Sequence, residues 1–201
     1  VAILLLMLCI YAASQAQTPL KPFILPFRDP PGVNTWLLGQ AYGNTTGAFN
    51  SGAQQYRAGQ YLHFGVDFSA PCGTPVIAMA DGVIDHVDNF GFGSRPHNLL
   101  IRHDALGLVV LYGHLLQTPT VIPGQDVRQG DVVGLTRSPD SDSDSRPHLH
   151  LEVRSLHYFT TYNPVAYIDA NWDSLALVGS FSRQLFQVDL FNARRWLSLD
   201  D

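Results

Sequence analysis

The sequence predicts an all-β fold with mainly antiparallel strands. The chain has 201 residues, among them 17 glycines and 13 prolines, which favour frequent turns and short strands over long helices. Hydrophobic residues make up 46% of the chain and charged residues 14%, a composition that excludes a mostly disordered protein. Short apolar runs follow one another without a helical segment long enough for a parallel crossover, so we expect antiparallel pairing.

The first residues are predicted to lie outside this fold. Val1–Ala13 is apolar and uncharged, and it is shorter than the about 20 residues of a membrane span. Because small residues follow at Ser14 and Ala16, we interpret residues 1–16 as a secretory signal cut after Ala16. The basic residues that usually open such a signal are absent, so we expect that the sequence begins inside the signal. An uncleaved anchor helix is the alternative. The interpretation predicts export, with no stable membrane insertion after cleavage.

The remaining chain divides into three predicted parts. Residues 17–60 form a proline- and glycine-rich lead-in and loop, since prolines exclude a helix or a central strand. Residues 61–168 form the domain, and residues 169–201 form a C-terminal extension of unknown role. Strands are predicted over residues 75–80, 82–87, 98–103, 108–114, 132–136 and 148–153.

A pair of histidines stands on the last predicted strand. Side chains alternate between the two faces of a strand, so His148, His150 and Glu152 share one face. The intervening residues are all apolar and face the core: Leu149, Leu151 and Val153. The histidines are therefore expected to line a groove. Glu152 is expected to be a solvated carboxylate on the same face, with support of a neighbouring site residue as the alternative.

A second motif supplies a histidine and a carboxylate four residues apart, His63 and Asp67. Taken singly, His63 is an ordinary loop histidine and Asp67 an ordinary turn residue. Together with one histidine of the last strand they make a set of two imidazoles and one carboxylate, which suits tetrahedral Zn²⁺ with a water in the fourth position.

A third histidine, His114, follows the apolar run Leu108–Leu111 and a glycine. A histidine at the end of a strand commonly makes a structural hydrogen bond. The alternative is a role in acid–base catalysis or in stabilising an oxyanion.

The order and spacing of these motifs resemble those of the lysostaphin/LytM-type zinc metallopeptidases, which are bacterial cell-wall endopeptidases. The resemblance covers roughly residues 60–168. It extends to the connecting runs Gly65–Phe68, Ala70–Val76, Ala80–Val83, Gly124–Val127, Gly130–Gly134 and Asn163–Tyr167.

The resemblance implies a fold, a metal and a substrate. The fold is a two-sheet duplicated hybrid motif with a long groove and extended loops. His63, Asp67 and His150 would ligate Zn²⁺, while His114 and His148 would be catalytic histidines that do not bind the metal. The substrate would be a peptidoglycan peptide, cut either between glycines or next to a D-amino acid. Which histidine acts as the base stays open.

Two other functions stay open, whereas nucleic-acid binding is not expected. Some domains of this fold have lost their ligands and regulate wall hydrolases, and a zinc peptidase can also act on a peptide outside the wall. The acidic segment 138–147 departs from the usual glycine-rich turn of the family, which leaves specificity open. Nucleic acid is not an expected partner, because 12 Lys+Arg against 17 Asp+Glu give a net charge of -5.

Overall fold

The protein is represented by a computed structural model that describes residues 21–45, 48, 62–137, 147–177, 186–189 and 192–198. The predicted signal, residues 1–16, and most of the acidic segment 138–147 lie outside the described residues. Within the described part of the chain, the helices are all too short or too polar to cross a membrane.

Strands dominate the described residues, and the predicted strands all occur, with ends that differ by a few residues. The strands are β1 (Leu37–Gln40), β2 (Val66–Ser69), β3 (Pro75–Ile77), β4 (Gly82–Val87), β5 (Asn98–His103), β6 (Leu108–Gly113), β7 (Asp126–Val127), β8 (Val132–Leu135), β9 (His148–Ser155), β10 (Thr161–Tyr162), β11 (Phe186–Asp189) and β12 (Asn192–Ser198). One short α-helix, α1, spans Trp172–Leu177.

The main sheet has eight antiparallel strands in the order β1-β2-β9-β6-β5-β4-β7, with β10 also paired to β9. A second sheet consists of β3 and β8, and β11 pairs with β12 in a separate hairpin. The predicted antiparallel all-β domain with two sheets is therefore confirmed. Its long-range pairing places β2 directly beside β9.

The alternation predicted for β9 separates the core from the face that carries the histidines. Leu149, Leu151 and Val153 are fully buried in the main hydrophobic core. On the neighbouring strand β6, Tyr112 is also fully buried in this core, and its hydroxyl accepts a hydrogen bond from the backbone N–H of Met79 at 3.0 Å. Tyr112, two residues before His114, is therefore a core residue, and the opposite face of β9 remains for the histidines.

The proline-rich lead-in contributes aromatic side chains to the same core. Phe23, Phe27 and Trp36 are buried, and the Trp36 ring meets Phe68 of β2 edge-on, with 5.5 Å between the ring centroids. The backbone N–H of Phe23 donates to the carbonyl of Tyr167 at 3.1 Å. The described lead-in thus packs behind β2, the strand that carries Asp67, while a domain boundary at residue 61 stays a prediction.

Candidate active site

Two of the predicted ligands face each other across a strand pair. Asp67 on β2 lies directly opposite His150 on β9 in the antiparallel register, a position in which side chains are close enough to touch. The Oδ1 atom of Asp67 lies 2.8 Å from Nδ1 of His150. The sheet therefore brings together two residues that are 83 positions apart in the chain.

His63 joins them from the segment that leads into β2. A backbone bridge to Gly43 holds this segment, and Nδ1 of His63 donates to the carbonyl of Ala41 at 2.8 Å. The Nε2 atom of His63 lies 3.1 Å from Oδ1 of Asp67 and 3.0 Å from Nδ1 of His150. The predicted set His63, Asp67 and His150 is thus assembled in one buried cluster.

Gly65 makes room for this cluster. A Cβ atom at position 65 would lie 2.4 Å from the carbonyl oxygen of Leu151 and 2.8 Å from Cε1 of the His150 ring. Because real Cβ atoms do not approach so closely, the segment between His63 and Asp67 can pass the His150 ring only with glycine at this position.

The second nitrogen of His150 is bound to Glu152, and the expectation of a solvated carboxylate is wrong. Glu152 is 5% exposed; its Oε1 accepts from Nε2 of His150 at 3.0 Å and its Oε2 accepts from Nε of Arg154 at 2.7 Å. The alternation already placed these three residues on one face, and the sequence pattern His-x-Glu-x-Arg on a strand is the signal that indicates such a buried ladder.

Three acceptor atoms meet at the centre of the cluster. The outer nitrogens of both histidines must carry hydrogens, because a backbone carbonyl and a carboxylate can only accept. When both rings are neutral, His63 Nε2 and His150 Nδ1 therefore present lone pairs to each other and to the Asp67 oxygen. Such an arrangement is repulsive unless a cation lies between the three atoms.

The electrostatics of the metal-free site agree with this requirement. Burial alone raises the pKa of Asp67, but the charges of His63 and His148 and the hydrogen bonds from His150 and His63 bring the pKa well below its usual value. Burial alone lowers the pKa of His150, but hydrogen bonds to Asp67 and Glu152 and their charges raise it well above the usual value. Without a metal, a proton on His150 therefore supplies the positive charge.

The donor set also fits zinc in its geometry. Ligand atoms 2.0–2.1 Å from a tetrahedral Zn²⁺ lie about 3.3 Å apart, and the three ligand atoms here are separated by 2.8, 3.0 and 3.1 Å. Each histidine also donates its outer N–H to an oxygen, as metal-ligating histidines usually do. Among the described residues, this is the one group of three such side chains close enough to share an ion.

The two remaining histidines lie beside the cluster. His114 follows β6 directly, and its ring centroid lies 4.7 Å from that of His148 and 5.8 Å from that of His150. The Nδ1 of His114 donates to the backbone carbonyl of Arg95. Burial and the charges of His148 and His150 lower the pKa of His114 to about 3, so the ring is neutral near pH 7 and its Nε2 carries a lone pair.

The segment that holds His114 was not predicted. The backbone N–H of His114 donates to the carbonyl of Ser94 at 3.3 Å, and the fully buried Asn98 donates from Nδ2 to the carbonyls of Asn89 and Gly93. Backbone carbonyls of residues 89–95 therefore position a histidine of the site. Backbone acceptors leave no pattern of residue types, so the sequence carries no signal for them.

Comparison with known families identifies the class of protein. The profile of Peptidase family M23 matches residues 61–164, a stretch that contains the predicted site residues His63, Asp67, His114, His148 and His150. The chain belongs to this peptidase family, and the resemblance inferred from the motifs is confirmed.

Individual relatives and structures agree. The DD-carboxypeptidase/endopeptidase Mpg of Neisseria meningitidis is 42% identical over 94 residues, which cover 46% of this chain and 20% of that protein. Lysostaphin of Staphylococcus simulans is 28% identical over 138 residues, or 68% of this chain and 25% of lysostaphin. The chain thus spans a fifth to a quarter of the length of these two relatives.

Among solved structures, the catalytic domain of the prophage-encoded M23 protein EnpA from Enterococcus faecalis superimposes with a TM-score of 0.52 and 27% identity. The match covers 72% of this chain and 97% of the EnpA domain. The catalytic domain of the antimicrobial peptidase lysostaphin superimposes with a TM-score of 0.51 and 25% identity, covering 65% and 90% of the two chains.

Proposed function

We propose that this chain is an exported zinc endopeptidase that hydrolyses peptide bonds in peptidoglycan cross-links. The observation that carries the proposal is the buried triangle of three acceptor atoms from His63, Asp67 and His150, in which the ligand atoms lie 2.8–3.1 Å apart. Membership of Peptidase family M23 supports the reaction class. Export rests on the signal segment inferred from residues 1–16.

The metal would be held by Nε2 of His63, Oδ1 of Asp67 and Nδ1 of His150. Three protein ligands leave one position of a tetrahedral ion open for water or substrate. When bound, zinc supplies Lewis-acid chemistry, since it polarises a carbonyl group and makes a water molecule more acidic. The Asp67 carboxylate keeps its negative charge at neutral pH, which favours the divalent cation over a neutral occupant.

His114 is proposed to orient the attacking water. Its Nδ1–H is committed to the carbonyl of Arg95, so the Nε2 lone pair is the group it can offer to a hydrogen of that water. His114 has no further N–H available for the developing oxyanion. We therefore assign the hydrogen bond to the oxyanion to His148, whose ring lies beside that of His114. Its contribution to kcat is expected to be typical of oxyanion donors.

The wall substrate is supported by the names of the relatives and by the predicted export. Mpg is named as a carboxypeptidase and endopeptidase, and lysostaphin as an antimicrobial peptidase. A peptide bond between two glycines or next to a D-amino acid is the expected target.

The decisive experiment combines purified sacculi with three variants. Digestion of sacculi by the zinc-loaded protein should release new amino termini, and mass spectrometry of the products identifies the bond. His150→Ala should lose both zinc and activity, because two ligands hold zinc poorly. His114→Ala and His148→Ala should keep stoichiometric zinc and lose turnover by about 10²–10⁴-fold.

Two outcomes would change the proposal. Zinc-dependent cleavage of a soluble peptide without any release from sacculi would move the substrate outside the wall. If all three variants retained both zinc and full activity, the site would have to lie elsewhere.

A further inference from the structure

The carboxylate of Glu152 bridges two other side chains on the face of β9 that carries the histidines. One oxygen accepts from Nε2 of His150 at 3.0 Å and the other accepts from Nε of Arg154 at 2.7 Å. The side chain of Glu152 is 6% exposed and that of Arg154 is 11% exposed. Burying charges is costly unless they are paired and hydrogen-bonded, and here both carboxylate oxygens have a partner.

This bridge decides which nitrogen of His150 faces the triangle. With Nε2–H donated to Glu152, the lone pair of the neutral ring lies on Nδ1, the atom that is 2.8 Å from Asp67 Oδ1. The other predicted histidine ligand, His63, is oriented by a neutral backbone carbonyl instead. His150 is thus the ligand whose orientation depends on a charged side chain.

Arg154 connects the bridge to the segment that holds His114. One terminal nitrogen of its guanidinium donates to the carbonyl of Phe92 at 3.1 Å, and the guanidinium carbon lies 5.5 Å from the centroid of the Phe92 ring. Three residues further on, the carbonyl of Arg95 accepts from Nδ1 of His114. A continuous set of contacts therefore joins His150 to His114 through Glu152, Arg154 and the backbone of residues 92–95.

We propose that Glu152 and Arg154 are a positioning pair, which holds His150 with Nδ1 toward the metal and fixes the 92–95 backbone that holds His114. The inference rests on the proposed zinc function. Neither residue contributes an atom to the ligand triangle. Both act through the two histidines.

The competing explanation is that the pair only stabilises the sheet. A buried ion pair is weak evidence for any role, since replacing it is often neutral for stability. The two explanations differ in metal affinity, because a purely structural pair would affect unfolding of the metal-free protein but not the zinc affinity of the folded protein.

Glu152→Gln is the critical variant. The amide keeps one oxygen as an acceptor and replaces the other with an NH₂ group, so its two ends cannot accept from both His150 and Arg154. If its NH₂ group turns to His150, the ring proton must move to Nδ1, the nitrogen that faces the metal. If its NH₂ group turns to Arg154, two donors oppose each other and the pair separates. Either arrangement weakens the orientation of His150.

The assay is zinc competition with a chromophoric chelator on the whole chain, without any substrate. Zinc affinity of Glu152→Gln should fall about 10–100-fold, as is typical when a ligand-orienting partner is lost. The visible absorption of bound cobalt(II) should also change, since it reports the geometry of the ligands. Arg154→Met should weaken zinc less and should lower kcat at saturating zinc, because the 92–95 backbone is released.

A matched control is Arg102→Met. Arg102 stands on β5 of the same sheet and pairs with Asp104 and Asp85, neither of which contacts the cluster. This variant should bind zinc as the wild-type chain does. If the Glu152→Gln chain does not fold, Glu152→Asp replaces it, because the shorter side chain keeps the charge but draws the carboxylate away from His150.

The outcomes separate this inference from the proposed function. Wild-type zinc affinity in folded Glu152→Gln or Glu152→Asp would overturn the positioning role and leave the peptidase proposal intact. A wild-type chain that binds no zinc would overturn both. Weakened zinc in the variant together with a wild-type chain inactive on sacculi would support the positioning pair and reject the wall substrate.

Discussion

Gly65→Ala tests whether the metal site depends on the close passage of the backbone beside His150. The new Cβ would lie 2.4 Å from the carbonyl oxygen of Leu151, and 2.8 and 2.9 Å from Cε1 and Nε2 of His150. An ordinary carbon–oxygen contact is about 3.4 Å, so the backbone or the ring must move by roughly 0.5–1 Å to relieve the overlap.

A movement of that size is large for a metal site. Ligand distances in metal sites vary by only about 0.2 Å, so a His150 ring displaced by several tenths of an ångström no longer completes the triangle. We expect zinc affinity to fall about 10–100-fold. Overpacking between β2 and β9 should also lower the free energy of unfolding by about 1–3 kcal/mol.

The assay measures zinc by chelator competition and stability by urea unfolding of the metal-free protein. Gly32→Ala is the control, because a Cβ at position 32 meets its nearest atom, Oγ1 of Thr35, at an ordinary 3.4 Å. That variant should change neither quantity by more than about 0.5 kcal/mol, as is usual for a surface substitution. Wild-type zinc affinity and stability in Gly65→Ala would refute the reasoning.

Three further predictions follow from buried polar groups. Tyr112→Phe leaves the backbone N–H of Met79 without its acceptor. The free energy of unfolding, measured by urea titration of the metal-free protein, should fall by about 1–3 kcal/mol. Zinc affinity, measured by chelator competition, should not change. Burial lowers the pKa of His103, whose Nδ1 donates to the carbonyl of Asp81. Because the unfolded chain takes up this proton at a higher pH than the folded chain does, the free energy of unfolding should fall as the pH drops below about 6.5. His103→Asn, which cannot titrate, should make this dependence shallower in urea titrations at several pH values, and part of the remaining slope belongs to His114. Zinc binding near pH 7 should release about one proton, because the metal displaces the proton that the raised pKa keeps on His150. Calorimetry in two buffers of different ionisation enthalpy counts the released protons. A count of zero would contradict the displacement of a proton by the metal.

The sequence predicted the parts of the site that follow from local pattern. Alternation on β9 placed His148 and His150 opposite the apolar residues, and the structure buries those apolar residues completely. The spacing of His63 and Asp67 predicted a shared ligand set, which the structure assembles. The placement of the histidines on β9 follows from strand periodicity, which is a property of the chain itself, while the ligand roles of His63, Asp67 and His150 stay a prediction.

What the sequence did not predict depends on tertiary contacts. The pairing of Glu152 with Arg154 is local in the chain and its pattern can be read from the sequence. The contact of Arg154 with the carbonyl of Phe92, 62 positions away, is not local and leaves no such pattern. The packing of Phe23 and Trp36 into the core likewise depends on where the proline-rich lead-in crosses the sheets. Proline predicted an extended segment, but it carries no information about the surface on which that segment lies.

The order of folding and metal binding follows from how the cluster is built. Asp67 and His150 are neighbours because β2 pairs with β9, and that pairing belongs to a sheet whose other face is filled by buried apolar side chains. The three side chains are therefore held by the hydrogen bonds of the sheet and by the core, so we expect the triangle to form without the metal. A domain with a core of this extent does not require a metal to fold, unlike small zinc domains that are unfolded without it. Bound zinc would then add stability only by mass action, by about 2.7 kcal/mol at a free concentration 100 times the dissociation constant. It would also relieve the repulsion among three acceptors that the fold has already brought together.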